Sequence, residues 1–284
     1  MNILSIQSHV AYGHVGNSAA VFALQRLGCE VWPVHTVQFS NHPGHGAWRG
    51  RALDADLIGE VVTGIAERGV LKSCDGVLSG YVGAPQTGEI ILDAVRATKA
   101  ANPRAQYCCD PVIGDVGPGI YVSDAIPPFM RERALPLADV VTPNQFELEC
   151  LAGCTTPTLS SALAASDRLR ALGPRVVLVT SLHTLETPPD SIDLLATDDR
   201  AAFLLRTPRL PLAVNGAGDA IAALFFFHWL RSGSAGEALS RAASSVFGIL
   251  RRTAEAGARE MLLIDAQDEL TSPGRVFAAQ PIER

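Results

Sequence analysis

Short apolar runs alternate with longer amphipathic stretches along most of the chain. The runs are bounded by Gly, Pro and Asp, and the clearest strand candidates are residues 3–6, 76–78, 106–109, 139–141 and 176–179. Strands that alternate with helices are typical of parallel sheets built from strand–helix–strand units. The pattern predicts one α/β domain over residues 1–284, with a mostly parallel central sheet flanked by helices.

Charge and proline placement add detail to a predicted helix and a predicted strand near the start of the chain. Residues 17–27 predict a helix that carries one charge, Arg26, and ends before Gly28. So little charge indicates that both faces of this helix are covered. Residues 30–39 predict a second strand, in which Pro33 suits an edge position because proline cannot donate a ladder hydrogen bond.

Two segments differ from this alternation, and a third closes the chain. Residues 191–206 alternate around Asp198-Asp199 and predict a hairpin of the kind that flanks an α/β core. Residues 39–53 are rich in Gly, His and Trp and predict a flap or a short strand pair over a site. Residues 235–256 predict one or two closing helices with a structural role.

The composition narrows the class of protein. Hydrophobic residues make up 48% of the chain and charged residues 18%, which excludes a disordered protein. With 23 basic and 29 acidic residues, the net charge is −6. The broad positive field that attracts nucleic acid or an anionic membrane is therefore missing, and neither is expected as a partner.

Apolar runs and cysteine spacing favour a cytoplasmic protein. Residues 220–230 are about half of the roughly 20 residues that a bilayer span needs and predict a buried helix. The first residues lack the features of a secretion signal. The six cysteines show no CxxC spacing, and Cys108 and Cys109 would point to opposite faces of a strand, so reduced and mostly buried thiols are expected. Cys150 and Cys154 share a helical face, which is a weak zinc signal.

Asn215-Gly216-Ala217-Gly218-Asp219 stands directly before the predicted apolar helix. Two glycines allow successive backbone amides to converge, and a helix N-terminus adds a positive dipole end, so this segment suits an anion. Asp219 can act there as the base for a hydroxyl that attacks a bound phosphate. The alternative is ordinary helix capping, for which Asp is also favoured.

Residues 142–147, TPNQFE, follow a strand and open another helix. Thr142 with the residue three positions later fits a capping box, and Pro143 fits the first helical position. Capping of this kind leaves Asn144 and Glu147 unexplained, although they share a helical face. Their oxygens suit a hydrated magnesium ion at the edge where open parallel sheets bind ligands.

Asp110 follows the strand candidate 106–109 and is held extended by Pro111. Alone, it fits either a turn cap or an acid at a metal and phosphate site. Together with Glu147 and Asp219 it makes three acids at strand ends or loop–helix junctions. This arrangement suits phosphoryl transfer with magnesium, and Asp219 would face the attacking hydroxyl.

The same ligand-binding edge is expected to carry residues that follow the first strand, namely Ser8, His9, Val15 and Gly16. The sequence has neither a GxGxxG fingerprint nor a GxxxxGK[ST] P-loop, so a nucleotide would be held in another way. The flap adds His42, His45 and Trp48. Tyr81 follows the strand 76–78 and could stack on an aromatic ring, although a lone Tyr or His in a loop is more often incidental.

Seven segments together resemble the ribokinase-like superfamily and, within it, the pyridoxal kinases, especially the bacterial pyridoxamine kinase branch. They are Ser5-Ile6-Gln7-Ser8-His9-Val10, Val15-Gly16-Asn17, Val37-Gln38-Phe39-Ser40-Asn41-His42, Leu78-Ser79-Gly80-Tyr81, Cys109-Asp110-Pro111-Val112, Thr142-Pro143-Asn144-Gln145-Phe146-Glu147 and Gly216-Ala217-Gly218-Asp219. The resemblance implies a ribokinase-like three-layer sandwich. It also implies an ATP-dependent kinase that phosphorylates the 5′-hydroxymethyl group of pyridoxal, pyridoxine or pyridoxamine in vitamin B6 salvage, as a cytoplasmic homodimer.

The resemblance also implies roles for single residues. Asp219 would be the base, and the anion hole would be formed by the amides of Gly216, Ala217 and Gly218. The vitamer would contact Ser8, Val15, His42, Pro43, Tyr81 and Asp219. The nucleotide would contact Asp110, Tyr121, Thr142, Asn144, Thr180, Ser181, Val214, Gly216 and Gly218. Mg²⁺ would be held by Asp110 and Glu147; ATP and Mg²⁺ are the implied cofactors, and dependence on a monovalent cation such as K⁺ stays open.

Three positions depart from the family pattern. Pro43 replaces the threonine that commonly follows Asn-His, and proline offers neither a hydroxyl nor a backbone donor. One lost substrate hydrogen bond would cost about 0.5–1.5 kcal/mol, so the preferred vitamer stays open. Asn215 and Ala217 replace the valine and threonine often seen in this branch, but both glycines and Asp219 remain, so activity is expected.

Two alternative functions remain. The same chemistry could act on hydroxymethylpyrimidine or another small alcohol, an alternative that Pro43 motivates. The other alternative is a non-catalytic protein that binds a vitamer or pyridoxal phosphate. Asp110, Glu147 and Asp219 argue against it, because a binding protein needs no base, anion hole and metal site together.

Overall fold

The structure is a computed structural model that describes residues 1–283. The strands are β1 (Asn2–Val10), β2 (Glu30–Phe39), β3 (Gly50–Ala52), β4 (Gly76–Ser79), β5 (Gln106–Cys109), β6 (Gly114–Asp115), β7 (Gly119–Ile120), β8 (Val140–Val141), β9 (Val176–Leu182), β10 (Ser191–Thr197), β11 (Ala202–Pro208) and β12 (Gln280–Ile282). The α-helices are α1 (Asn17–Arg26), α2 (Ala55–Glu67), α3 (Pro85–Ala101), α4 (Ile126–Phe129), α5 (Gln145–Ala152), α6 (Leu159–Arg170), α7 (Ala217–Ser232), α8 (Ala235–Glu255) and α9 (Asp268–Thr271).

One large sheet organises the molecule. Its strand order is β12-β11-β10-β9-β8-β5-β4-β1-β2-β3, while β6 and β7 form a separate antiparallel pair. The six strands from β9 to β2 run parallel. On one side β10, β11 and β12 extend the sheet with antiparallel pairing, and on the other side β3 does so. The predicted α/β class with a mostly parallel centre is confirmed.

Strand residues alternate between two apolar cores, one on each face of the sheet. Ile3 and Cys108 belong to the core that includes α1, α7 and α8. Leu4 and Cys109 belong to the core that includes α2, α3, α5 and α6. Helices therefore cover both faces, which gives the predicted three-layer sandwich, and the adjacent cysteines point to opposite faces as expected.

Helix α7 is apolar on nearly every side because it lies between other elements. It packs against α8, α1 and β5. Phe225 and Phe226 are among the largest fully buried side chains. Within residues 1–283, no helix combines the length and apolar character that a membrane span requires.

The parts of the sheet that flank the parallel strands also position the site. Residues 39–53, the flap, contain a short 3₁₀ helix, Pro43–His45, and β3. β3 pairs with β2 at residues 37–39 alone, so Pro33 has no strand beside it on that side although β2 is not the outermost strand. The segment predicted as a hairpin contains β10 and β11, paired in antiparallel register from Ser191↔Pro208 to Thr197↔Ala202. α8 is a single helix over most of residues 235–256.

Candidate active site

The carboxyl ends of the parallel strands bring most of the predicted site residues to one edge of the sheet. Ser8 lies near the end of β1, Tyr81 follows β4, Asp110 follows β5, Thr142 follows β8, and Thr180 and Ser181 lie near the end of β9. Ligands of open parallel sheets bind at this edge. The order of the strands places the proposed vitamer residues on the β1 and β4 side and the proposed nucleotide residues on the β8 and β9 side.

The segment before α7, residues 215–218, is called the anion loop here. Gly216 has a φ of +90°, and a Cβ at this position would overlap the carbonyl oxygen of His14. Glycine alone accommodates both conditions. At Gly218, by contrast, a Cβ would meet open space. Because α7 begins at Ala217, the free amides of its first turn are available to an anion.

Asp219 lies in the first turn of α7 and is half-buried. Burial raises the pKa of Asp219 to about 6, and the backbone N–H of Gly16, which faces the carboxylate, opposes that shift. At neutral pH the carboxylate is therefore mostly ionised yet close enough to its pKa to accept a proton efficiently.

A buried polar network fixes the segment that carries Gly16. The Ser5 hydroxyl donates to Asn17 Oδ1 at 2.7 Å, and Gln7 Nε2 donates to Ser5 Oγ at 2.9 Å. Asn17 Nδ2 donates to the carbonyl of Val34 at 3.0 Å. Gln7 and Asn17, two residues of the family-like segments, thus join β1, β2 and α1 and hold the Gly16 amide under Asp219.

Two further buried carboxylates lie at the same edge. Asp110 Oδ1 accepts a hydrogen bond from Thr142 Oγ1 at 2.8 Å. Burial, and then repulsion from Glu147 and Asp219, raise the pKa of Asp110 well above its usual value. Burial raises the pKa of Glu147 to about 7, against three backbone hydrogen bonds that lower it. No Lys or Arg within residues 1–283 forms an ion pair with Asp110 or Glu147.

The cap of α5 differs from the prediction, which placed Thr142 in the capping box. The N-cap is Asn144: its Oδ1 accepts from the Glu147 backbone N–H at 2.9 Å, and Glu147 Oε2 accepts from the Asn144 N–H at 2.9 Å. The helix begins later because the chain is still paired with β9. Thr180 donates its N–H to the carbonyl of Pro143 at 2.9 Å, and Asn144 forms a bridge with Thr180. The expectation that capping leaves Asn144 and Glu147 unexplained was wrong.

Glu147 also holds the β6–β7 pair over the acids. Its Oε1 accepts from the N–H of Ile113 at 2.9 Å and of Gly114 at 3.4 Å. Asn144 Nδ2 donates to the carbonyl of Gly114 at 2.8 Å. Tyr121 follows β7 and is exposed. Its backbone N–H donates to the carbonyl of Ile113 at 3.1 Å. Desolvation, and then the negative charges of Glu147 and Asp110, raise the pKa of Tyr121.

The carboxylates of Asp110 and Glu147 fit a magnesium site if phosphate oxygens and waters supply the remaining ligands. Within the described part of the chain no group of three or more His, Cys, Asp and Glu side chains could hold a metal ion. Mg²⁺, however, is commonly bound through one or two carboxylates and keeps several waters and substrate phosphate oxygens. The buried pair Asp110 and Glu147, whose mutual repulsion a cation would relieve, meets that requirement.

A cleft of about 140 Å³ lies beside the N-terminus of α7. Thr180, Ser181 and Gly218 lie along it. Its apolar walls come from β10, β11 and the loop that follows, and from α7 and α8: Ile192, Leu194, Pro208, Leu210, Ile221, Ala243, Val246, Phe247 and Leu250. Sequence analysis singled out none of these wall residues and assigned α8 a structural role, because each looks like an ordinary core residue. Ser181 is the one non-glycine residue with positive φ, +51°, within residues 1–283, and such strain often marks a functional site.

Among the predicted vitamer residues, Val15 and the turn that carries His42 and Pro43 lie beside the anion loop. A Cβ on Gly16 would overlap the Ser8 hydroxyl, and Val15 is buried beside Gly216. Burial lowers the pKa of His42 and raises the pKa of Tyr81, both of which are half-buried. Pro43, at the first position of the 3₁₀ helix, is preceded by His42, whose Nδ1 accepts from the Gly44 N–H at 3.1 Å.

Val214, one of the predicted nucleotide contacts, is half-buried and directly precedes the anion loop. A larger groove of about 810 Å³ is lined by α7, α8 and the C-terminal segment and contains none of the predicted site residues. The predicted site residues therefore lie outside this larger groove.

Comparisons with known proteins identify the family of this chain. A family model described as phosphomethylpyrimidine kinase matches residues 61–263. Pyridoxal kinase PdxY of Granulibacter bethesdensis is 56% identical over 284 residues, which cover 99% of each chain. The chain belongs to the pyridoxal kinase family. Pyridoxal kinase PdxY of Rubrobacter xylanophilus is 58% identical over 274 residues, 96% of this chain and 94% of the relative.

Among solved structures, pyridoxal kinase from Leishmania donovani in complex with ADP and pyridoxamine is similar to this member of the pyridoxal kinase family with a TM-score of 0.93. The two chains are 28% identical, and the match covers 99% of each. The predicted family, ribokinase-like fold and phosphotransferase class are confirmed.

We expect kcat/KM to fall about tenfold per pH unit below pH 6, as for any reaction that needs one ionised base. The pKa of Asp219 is raised to about 6, so its carboxylate is ionised above that pH and protonated, unable to accept a proton, below it. A profile of kcat/KM from about pH 5 to about pH 9 measures this limb. A profile that stays flat down to pH 5 would contradict the assignment.

Proposed function

We propose that this chain is an ATP-dependent kinase that phosphorylates the 5′-hydroxymethyl group of pyridoxal, pyridoxine or pyridoxamine in vitamin B6 salvage. The observation that carries the proposal is the position of Asp219. Its carboxylate, with a pKa raised to about 6, lies in the first turn of α7 directly after the anion loop. The acceptor is supported by full-length relatives named pyridoxal kinase at 56% and 58% identity.

In the proposed reaction, Asp219 accepts the proton of the vitamer hydroxyl as its oxygen attacks the γ-phosphorus of ATP. The bond to the ADP oxygen breaks as the new P–O bond forms. Backbone amides of Gly216, Ala217 and Gly218 would bind the transferred phosphoryl group. These amides suit this task because the helix dipole and the fixed loop stabilise negative charge without reorganisation.

Vitamer and nucleotide would lie on opposite sides of the anion loop. The proposed vitamer contacts are Ser8, Val15, His42, Pro43, Tyr81 and Asp219. The proposed nucleotide contacts are Asp110, Tyr121, Thr142, Asn144, Thr180, Ser181, Val214, Gly216 and Gly218, and the apolar cleft formed by β10, β11 and α8 would take the adenine ring. Mg²⁺ would be held by Asp110 and Glu147 and would neutralise the phosphate charge.

The proposal includes the oligomeric state, the cellular location and a monovalent activator. We propose a homodimer that works in the cytoplasm on small molecules, and a monovalent cation such as K⁺ as a further activator to be varied in the assay. Sedimentation equilibrium of the purified protein tests the homodimer.

The decisive experiment is an ADP-release assay with ATP, Mg²⁺ and K⁺ in which pyridoxal, pyridoxine, pyridoxamine and hydroxymethylpyrimidine are compared, with Asp219→Asn as the blank. Turnover with a B6 vitamer supports the proposal and reveals the effect of Pro43 on preference. Binding of vitamers without ADP release from any acceptor would overturn it in favour of a binding protein.

A second candidate keeps the mechanism and changes the acceptor to hydroxymethylpyrimidine. It is motivated by Pro43, which lacks the hydroxyl and N–H that the family commonly places there, and by the match to the family described as phosphomethylpyrimidine kinase. Turnover of the pyrimidine alone in the same assay would select this candidate.

We expect Asp110→Asn to raise the half-saturating Mg²⁺ concentration roughly tenfold or more, with little change in vitamer KM. Because burial and two neighbouring acids raise the pKa of Asp110, the substitution also removes electrostatic repulsion and should not lower the melting temperature. Activity measured against Mg²⁺ concentration, with thermal unfolding in parallel, checks both. Glu147→Gln should raise the Mg²⁺ requirement as well but lower the melting temperature. Both oxygens of Glu147 accept backbone N–H bonds, one from Asn144 and the other from Ile113 and Gly114, and glutamine has only one oxygen to accept them. An effect of Asp110→Asn on vitamer KM alone would reassign Asp110 to the vitamer.

A further inference from the structure

We propose that His45 and Glu260 are positioning residues that hold the flap against the anion loop and so keep it over the vitamer pocket. Glu260 lies between α8 and α9, far in sequence from the flap and from the anion loop. The consequence for substrate affinity rests on the proposed function, whereas the consequence for the flap rests on geometry alone.

One imidazole ring joins three separate segments. His45 Nδ1 lies 3.1 Å from Glu260 Oε1. On the other side of the ring, His45 Nε2 lies 3.3 Å from Asn215 Nδ2. The flap, the anion loop and the segment after α8 therefore meet at His45.

The side chains of Glu260 and Asn215 determine which ring nitrogen of His45 carries a hydrogen. A carboxylate can only accept, so His45 Nδ1 carries the hydrogen and donates it to Glu260. In the neutral ring Nε2 is then an acceptor, and Asn215 Nδ2 donates to it. Every group thus has a complementary partner, which fixes both the tautomer and the orientation of the ring.

Glu260 is a firm anchor for the link. Its side chain is 16% exposed, against 28% for His45. A Cβ on Gly13 would overlap Glu260 Oε2, so the carboxylate is seated against the backbone of that glycine. The neighbouring residue His14 packs its carbonyl against Gly216. The anchor is therefore continuous with the structure that shapes the anion loop.

The flap itself has little else to hold it. Residues 43–52 are all exposed. Besides the pairing of β3 with β2, its base is held by the Tyr12 N–H, which donates to the Ser40 carbonyl at 2.9 Å, and by hydrogen bonds between Ser40 and Arg49. Trp48 contacts Phe39 at 4.2 Å between ring centroids. None of these contacts involves the turn that carries Pro43 to His45. A single partly exposed hydrogen-bonded pair contributes little to global stability. It can nevertheless decide the position of a segment that buries so few side chains.

The link acts on the turn that carries two proposed vitamer contacts. His42 and Pro43, two proposed vitamer contacts, belong to the same short turn as His45. Fixing His45 therefore fixes the turn that faces the vitamer.

The test uses the purified full-length protein and four variants. Glu260→Ala removes the acceptor, Asn215→Val removes the donor, and Glu260→Gln retains an amide oxygen that can accept from His45. Glu89→Ala is the control, because it removes an exposed ion pair with Arg133 at 3.0 Å that lies away from the flap. Hydrogen–deuterium exchange of residues 39–53 without ligand is measured first, and vitamer KM and kcat second.

We expect faster exchange in the flap of Glu260→Ala and Asn215→Val, exchange near the wild-type rate in Glu260→Gln, and no change in Glu89→Ala. Vitamer KM should rise about two- to fivefold in Glu260→Ala, the effect of losing one partly exposed polar pair, with kcat nearly unchanged. Asn215→Val alters the anion loop itself, so only its flap exchange is used to test the link. Unchanged flap exchange in Glu260→Ala would overturn the proposal. So would faster exchange with a lower kcat and an unaltered KM. If the wild type turns over no acceptor, the proposed function fails, while exchange still decides the link.

Discussion

Asp219→Asn is expected to lower kcat by roughly 10² to 10⁴, the usual effect of losing a general base. Asparagine keeps the shape and an oxygen that can accept from the Gly16 N–H, but it cannot take a proton from the vitamer hydroxyl. Nucleotide binding should stay nearly intact, since the anion loop and the apolar cleft are unchanged. Steady-state kinetics with the preferred acceptor, and calorimetric titration with a non-hydrolysable ATP analogue, measure the two effects.

Thermal unfolding separates this chemical effect from a folding defect. Burial raises the pKa of Asp219 to about 6, so above that pH the folded wild type carries an ionised carboxylate whose burial costs free energy, and a neutral asparagine removes that cost. The melting temperature at pH 8 should be equal to or higher than that of the wild type. The matched control is Asp56→Asn, an acid in the first turn of α2, which should leave kcat unchanged. A wild-type kcat in Asp219→Asn would remove this residue from the mechanism.

Gly216→Ala is expected to lower kcat by about 10², comparable to the loss of one anion-hole donor, and to lower the free energy of unfolding by about 1–3 kcal/mol. The added methyl group would overlap the His14 carbonyl oxygen, and alanine is strained at a φ of +90°. The loop must then shift, which moves the amides that face the phosphoryl group. Denaturant unfolding and steady-state kinetics measure both losses.

Gly218→Ala, two residues further along, provides the comparison for Gly216→Ala. A Cβ at Gly218 would meet open space, so the free energy of unfolding should stay close to the wild-type value. Any loss of activity would then come from a methyl group in the phosphate path. Equal destabilisation by the two substitutions would show that positive φ and the His14 contact do not shape the loop.

The elements that sequence analysis located best are those with local signals. Asn215 to Asp219 could be recognised because glycine spacing and a following apolar stretch define a helix N-terminus without reference to the rest of the chain. The strand ends carrying Asp110 and Thr142 were found in the same way. Whether these side chains bind magnesium and nucleotide stays a prediction.

The cap of α5 shows where local signals fail. Residues 142 and 145 and residues 144 and 147 have the same spacing, so both pairs fit a capping box. Pairing of Pro143 and Asn144 with Thr180 on β9 keeps the chain extended and selects the second pair. A contact between strands so distant in sequence has no local signature.

The amino-acid sequence by itself determined the alternation of strands and helices, the glycine-rich anion loop and the set of acids, because hydrophobic periodicity and turn chemistry act over a few residues. The tertiary structure alone decided the raised pKa values of Asp110, Glu147 and Asp219, the apolar walls from β10 and α8, and the meeting of His45 with Glu260. Burial, charge repulsion and packing depend on distances between segments that are remote in sequence, and folding alone sets those distances.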